Sequence, residues 1–295
     1  MLKNVLFATD LSSYARAVVD CLLGLGQAGV REVVLLHVID QSLSYVEGAA
    51  GFDVIGQLKL DAQRALAEER QRLESEGFQV HVRLEVGIPA AEIVRVAEEE
   101  DVSLIVVGAY GRTFLRDVLL GSVAERVLHL ARRPVLVERP TVLSELGAAQ
   151  CRLRGAQVFS RLLLPTDFSP AAALAERFVS GLREVGAQEV LVLHVLEEPA
   201  VRGRRPEEVT RLAGDAQARL TEVVAGLEAQ GFAARGLLER GRPVERILEV
   251  AEREDVGSIV AGSRGRGIVA EVLLGSVAEG VARRSRRPVV VVPAR

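Results

Sequence analysis

The sequence predicts an α/β protein of two tandem doubly wound domains, each a five-stranded parallel sheet with helices on both faces. Three observations carry that prediction. The chain repeats itself: VLFATDLS (5–12) answers to LLLPTDFS (162–169), VVLLHVID (33–40) to VLVLHVLE (190–197), and LLGSVAERV (119–127) to LLGSVAEGV (273–281). Within each copy, short apolar runs alternate with longer segments of helical spacing. Runs such as VVLLHV and LIVVG are apolar on both faces, so their sheet must be covered on both sides. A length of 295 residues suits two domains of ordinary size.

The elements follow in order. KNVLFAT is a first strand bounded by Asp10 and Ser12, and 13–27 continues with helical spacing. REVVLLHV is a second strand. After a loop, 57–76 is a charged amphipathic helix stopped by Gly77, and FQVHVRLEV alternates as a third strand. Pro89 opens a helix, where its missing N–H costs nothing. VSLIVVG is a fourth strand, 122–132 a fourth helix and RPVLVE a fifth strand. The second copy repeats this and is three residues shorter between its second strand and the end of the next helix. The domains run over 1–138 and 158–295. The intervening 139–157 has no counterpart within a repeat and reads as a linker with room for a short helix.

Composition narrows the function. A net charge of −3 gives no push toward nucleic acid or an anionic membrane. Aromatics make up 4% and Trp is absent, which argues against a stacking platform for single strands. No apolar run reaches the length of a bilayer span, and the N-terminus lacks a signal-peptide pattern, so a reducing, cytoplasmic location is expected. The two cysteines, Cys21 and Cys151, cannot build a disulfide framework or a cysteine zinc site; Cys21 reads as a small core residue.

The chemistry concentrates in one constellation that occurs twice. Gly108 and Gly111 follow the fourth strand, and Gly121 and Ser122 open the next helix; Gly262, Gly265, Gly275 and Ser276 stand at the same offsets. In a doubly wound sheet a ligand sits beyond the carboxyl ends of the strands, where strand order reverses. Strands one and four are the natural neighbours there, which places Asp10 opposite Gly108. Glycines without a Cβ let backbone approach a ligand. Gly121 and Ser122 would present N–H groups at a helix N-terminus, with the Ser122 hydroxyl as cap or phosphate donor. Arg112 adds a charge suited to phosphate. The alternative is ordinary turn and cap chemistry, since this is neither a P-loop nor the dinucleotide fingerprint. Recurrence in two copies whose other loops have diverged favours a nucleotide cradle.

On these residues, both halves resemble universal stress protein domains of the ATP-binding type, and the resemblance covers nearly the whole chain except the linker. It rests on G-x-x-G-x9-G-S at Gly108, Gly111, Gly121, Ser122 and at Gly262, Gly265, Gly275, Ser276. It rests also on Thr9-Asp10 and Pro165-Thr166-Asp167 at the end of strand one, and on Val38 and Val195 in strand two. The resemblance implies an ATP-binding regulatory protein of the stress response. Asp10 and Val38 would meet adenine and ribose. Gly108 to Thr113, with Arg112, and Gly121 to Val123 would hold ribose and phosphates carrying Mg or Mn. In the second half Asp167, Val195, Gly262 to Gly267, with Arg266, and Gly275 to Val277 would act likewise. It further implies an intramolecular pseudo-dimer through the fifth strands, with a further homodimer left open. The first half departs from the family pattern: Ala109-Tyr110 stand where the second half has Ser263-Arg264, losing a hydroxyl and a cation. Its grip on phosphate is expected to be the weaker.

Two other function classes stay open: a slow ATPase, with Asp10 or Asp167 holding metal, and a binding module for AMP, a cyclic nucleotide or no nucleotide at all. The crevice offers no Walker lysine or assigned water-positioning group, so efficient turnover is not expected. His37 and His194 read as strand histidines bonded to a neighbour rather than catalytic groups. The run Glu98 to Asp101 reads as a solvated helix end, the pairs Arg132-Arg133 and Arg286-Arg287 as favourable charges at a helix C-terminus, and Arg202, Arg204 and Arg205 as a solvated loop.

Overall fold

A computed structural model describes residues 2–23, 25–26, 29–43, 54–110, 120–139, 141–143, 148–150, 157–197, 203, 205–265 and 274–294. The chain divides into two compact units, Met1–Gly155 and Ala156–Arg295.

In the first unit the elements are β1 Asn4–Ala8, α1 Ser13–Leu22, β2 Glu32–Asp40, α2 Val54–Ser75, β3 Gln79–Gly87, α3 Pro89–Glu99, β4 Leu104–Gly108, α4 Ser122–Leu130 and β5 Val135–Glu138. The strands are parallel in the order β3-β2-β1-β4-β5. β1 therefore lies between β2 and β4, with Ala8 in register with Leu36 and Val107. The chain winds from β1 to β3 in one direction and then returns to the other side of β1. The switch point falls between the ends of β1 and β4, as the sequence predicts. The helix expected over 13–27 ends earlier, at Leu22. The expected linker holds a short antiparallel ribbon, β6 Thr141–Leu143 with β7 Ala148–Gln150, followed in the second unit by one helical turn, α5 Gln157–Ser160.

The second unit repeats the plan with β8 Arg161–Pro165, α6 Pro170–Gly181, β9 Glu189–Glu197, α7 Pro206–Ala229, β10 Ala233–Gly241, α8 Pro243–Arg253, β11 Ser258–Gly262, α9 Ser276–Arg284 and β12 Val289–Val292. Its order is β10-β9-β8-β11-β12, again parallel. Helices cover both faces in each unit. α3 packs on α4 and α8 on α9, while Arg72 of α2 pairs with Asp20 of α1 on the other face. The central strands are wholly buried: Leu6, Phe7, Leu35, Leu104, Ile105, Leu162, Leu163, Ile259 and Val260 expose 0% of their surface. Burying such a side chain contributes roughly 1.5–3 kcal/mol, so these strands anchor the loops at their ends. Cys21 belongs to the core as expected, but its sulfur is disulfide-bonded rather than a free thiol. Cys151 lies outside the described residues. No helix among the described residues is long and apolar enough to cross a membrane.

The loop after the first strand has the same internal wiring in both units. The Thr9 hydroxyl accepts from Leu11 N–H at 3.0 Å and Asp10 Oδ1 from Ser12 N–H at 3.0 Å. Thr166 and Asp167 repeat both bonds at 3.0 Å. Two consecutive side-chain-to-backbone turns hold the intervening residue in the left-handed region, Leu11 at φ 62° and Phe168 at φ 60°. Ser12 and Ser169 then cap α1 and α6 by accepting from Ala15 and Ala172 N–H. Ser169→Ala should lower stability by about 1 kcal/mol, read as a lower urea midpoint for the second unit with an unchanged denaturant slope.

The acidic run at the C-terminal end of α3 is not merely solvated. Arg83 pairs with Glu99 and Glu100, Arg95 with Glu99, and Arg133 with Glu98 and Asp101. These cations offset a cluster that a helix C-terminus would disfavour. Of the second Arg pair, Arg287 is buried and held by Glu252, Asp255 and the Val256 carbonyl. Arg202 and Arg204 lie outside the described residues, while Arg205 pairs with Glu208.

Candidate functional site

In the second unit the switch point opens into a cavity of about 880 Å³. It brings together nine of the sequence-predicted residues: Pro165, Thr166, Asp167, Val195, Gly262, Gly265, Gly275, Ser276 and Val277. Arg266 and Gly267 lie outside the described residues. Each wall comes from an element end that the topology places there. The Thr-Asp loop follows β8, Val195 is near the end of β9, the glycines follow β11, and Ser276 and Val277 begin α9.

The glycines do different jobs from those the sequence suggests. A Cβ on Gly262 would stand 2.5 Å from the Ala171 carbonyl oxygen, so this glycine makes room for the start of α6 rather than for a ligand. A Cβ on Gly265 would come within 2.9 Å of Asp167 Oδ2, across the crevice. Here the absent side chain does keep the cavity open. Gly275 N–H donates to the Ser263 carbonyl at 2.7 Å, and Gly121 N–H to Ala109 at 2.7 Å. Neither amide is available to an anion, contrary to expectation. Each glycine is also the N-cap, so Ser122 and Ser276 stand at the first helical position and do not cap.

What remains at the start of α9 is a set of three N–H groups, of Ser276, Val277 and Ala278. The first intrahelical bond runs from Glu279 N–H to the Gly275 carbonyl, and these three have no acceptor among the described residues. All three residues line the cavity. Val277 beside them leaves 37% of its surface exposed, and Val123 at the matching place on α4 leaves 39%. Ser263, whose hydroxyl is missing from the first half, does not face the site. It is buried, and its Oγ accepts from Ala294 N–H at 3.0 Å. Ala109 therefore costs the first half no phosphate donor.

Sequence reading missed a stack on the opposite wall. The Arg219 guanidinium lies 4.3 Å over the Phe168 ring and donates to the Phe168 carbonyl at 3.3 Å. Phe168 in turn leans on the His194 ring at 4.6 Å, and all three residues line the cavity together with Arg264. His194 Nδ1 lies 2.7 Å from the Thr166 carbonyl, and His37 Nδ1 2.8 Å from that of Thr9. A carbonyl can only accept, so each ring donates through Nδ1. The histidines brace the Thr-Asp loops, in keeping with the structural reading.

In the first unit Thr9, Asp10, Val38, Gly108, Gly121, Ser122 and Val123 occupy the equivalent element ends. Gly111, Arg112 and Thr113 lie outside the described residues. A Cβ on Gly108 would meet the Tyr110 carbonyl oxygen and the Tyr14 ring, each at 3.2 Å. Tyr110 accepts from Arg139 at 3.1 Å and meets Tyr14 edge-on at 5.4 Å. Burial raises the Tyr14 hydroxyl's pKa, lowers that of Arg139, and pushes Glu138 up to about 8. Glu69 on α2 is also buried, neither carboxylate oxygen has a hydrogen-bond partner among the described residues, and burial pushes it up to about 7. Its signal was legible as an acid interrupting the apolar stripe Ala62, Leu66, Leu73.

Sequence and fold both match known proteins. The model of the universal stress protein family matches residues 1–139 and again 159–293. Universal stress protein MJ0577 of Methanocaldococcus jannaschii is 35% identical over 153 residues, covering 46% of this chain and 94% of that protein. A universal stress protein of Mycolicibacterium smegmatis is 28% identical over 273 residues, covering 88% of this chain and 86% of its own. The crystal structure of a universal stress protein from Archaeoglobus fulgidus DSM 4304 matches with a TM-score of 0.72 at 28% identity, over 99% of this chain and 96% of that one. With the family pattern in each of its two α/β units, the chain belongs to the universal stress protein family.

Proposed function

We propose that the chain is an ATP-binding regulatory protein and that its second-half cavity holds the nucleotide, as its Mg complex. The observation that carries this reading is the start of α9. Three N–H groups without acceptors among the described residues open onto a cavity that also holds the cations Arg219 and Arg264. Oriented amides and a helix dipole favour an anion, and guanidinium groups favour phosphate oxygens in particular. The Val195 strand end and the gap kept open at Gly265 leave room for the nucleoside part. Asp167 keeps one oxygen in its turn and directs Oδ2 toward Gly265, where a ribose hydroxyl could donate to it. The proposal is of binding and assigns no turnover.

Calorimetric titration of nucleotide-free protein with Mg-ATP tests this. Saturable heat is expected, with AMP binding at least tenfold more weakly because it lacks the phosphates that meet α9 and the arginines. No heat, supported by equilibrium dialysis, would overturn the reading. Equal affinity for AMP would remove the triphosphate from it.

A further inference from the structure

The sheet of the first unit ends on an edge without the usual protection. β3 runs nine residues, Gln79–Gly87, in unbroken register with β2 along its whole length. Natural edges are commonly blunted by a bulge, a proline, shortness or charge. The matching edge of the second unit is blunted: on β10, Gly236 and Arg240 stand where β3 has Val82 and Val86. Val82 and Val86 leave 37% and 40% of their surface exposed.

The backbone shows what this edge can accept. Gln79 N–H donates to the Arg31 carbonyl at 2.9 Å. Alternation along the strand then turns the N–H and C=O groups of the odd-numbered residues toward β2. Those of Val80, Val82, Leu84 and Val86 point outward, where β3 has no strand neighbour among the described residues of its unit. The side chains alternate as well. Val82, Leu84 and Val86 share one face. Arg83 and Glu85 share the other, where Glu99, Glu100 and Arg95 hold them in place.

We infer that this edge pairs antiparallel with the same edge of a second copy, about a two-fold axis at Leu84, and so joins two chains into a homodimer. A two-fold contact brings one surface against itself, and β3 is self-complementary about that residue. Val82 meets Val86 of the second copy, Leu84 meets Leu84, and each such pair exchanges both backbone hydrogen bonds. Arg83 falls opposite Glu85 of the second copy at the closely spaced, non-hydrogen-bonded positions, where opposite charges attract. Sliding the strands by two residues would set Arg83 against Arg83 or Glu85 against Glu85. Sliding them by one would set outward backbone groups against inward ones. Charge and hydrogen bonding therefore select the same register. The inference does not depend on the nucleotide reading of the second unit.

Sedimentation velocity of the full chain over a wide range of concentration tests it, with a concentration-dependent dimer expected. Glu85→Arg sets Arg against Arg at both charged pairs and should weaken the dimer by about tenfold. Its thermal stability should hardly change, since the pairs it loses are surface pairs. Val82→Pro removes an outward donor and leaves the β2 ladder intact, so it should abolish the dimer. Chains carrying Arg83→Glu and chains carrying Glu85→Arg should pair with each other and not with themselves. If Arg83→Glu fails to fold, Glu85→Arg and Val82→Pro decide. A wild type that stays monomeric throughout would overturn the inference, as would a dimer that neither variant weakens.

Discussion

Ser276→Asp should weaken Mg-ATP binding at the second half by about two orders of magnitude while leaving the fold intact. The hydroxyl stands at the first position of α9, beside the N–H groups proposed to receive phosphate. A carboxylate there competes for those donors and repels the ligand. Unit charges 4 Å apart interact by about 4 kcal/mol at an effective dielectric near 20, ample for a hundredfold loss. The same carboxylate is favourable to the helix itself, because an acid in the first turn complements the dipole. Unchanged thermal stability with lost binding is therefore the expected pattern. Retained binding would move the phosphates away from α9. Loss of both binding and fold would require Ser276→Glu, longer and still acidic, as a second variant.

The second large effect concerns pH. Glu69 and Glu138 have unfolded-state values near 4.5, and burial raises them to about 7 and about 8 in the native chain. Between 4.5 and those values the native state holds protons that the unfolded chain has released. Stability therefore falls as pH rises through this window and recovers on acidification. Each tenfold change in proton affinity is worth about 1.4 kcal/mol, so Glu69 alone costs roughly 3 kcal/mol once the pH exceeds its native value. Glu69→Val, the residue found at this place in the second half, should raise stability at pH 8.5 by about 2–3 kcal/mol and do little at pH 5. Urea denaturation at the two pH values checks this. An equal gain at both would mean that packing, rather than the buried charge, governs the site.

Much of the fold was legible because the repeat supplied it twice. Alternating strands and helices and doubly apolar strands set the parallel sheet, and the switch point followed from strand order. The site was legible as a set of positions but not as a set of roles. Spacing cannot show that Gly262 yields to the Ala171 carbonyl, that Gly275 N–H is spent on Ser263, or that the Ser263 hydroxyl turns to Ala294. Those depend on contacts between segments distant in sequence. At the start of α6 the bonds give Ser169 the cap and Asp167 the turn, although both residue types suit either role. Arg219 was hidden for a different reason. An exposed arginine on a charged helix carries no signal until Phe168, 51 residues earlier, is seen beneath it. The contrast of Arg219 with Ala65 and Phe168 with Leu11 between the copies could have marked it.

The central claim is that the open end of α9 receives the phosphates of a nucleotide. The most direct measurement follows the amide signals of Ser276, Val277 and Ala278 by heteronuclear NMR during titration with Mg-ATP. The account predicts saturable shifts at all three, together with Gly265, and much smaller shifts at the same concentration of adenosine. Amides that stay still while ATP binds elsewhere on the chain would contradict it.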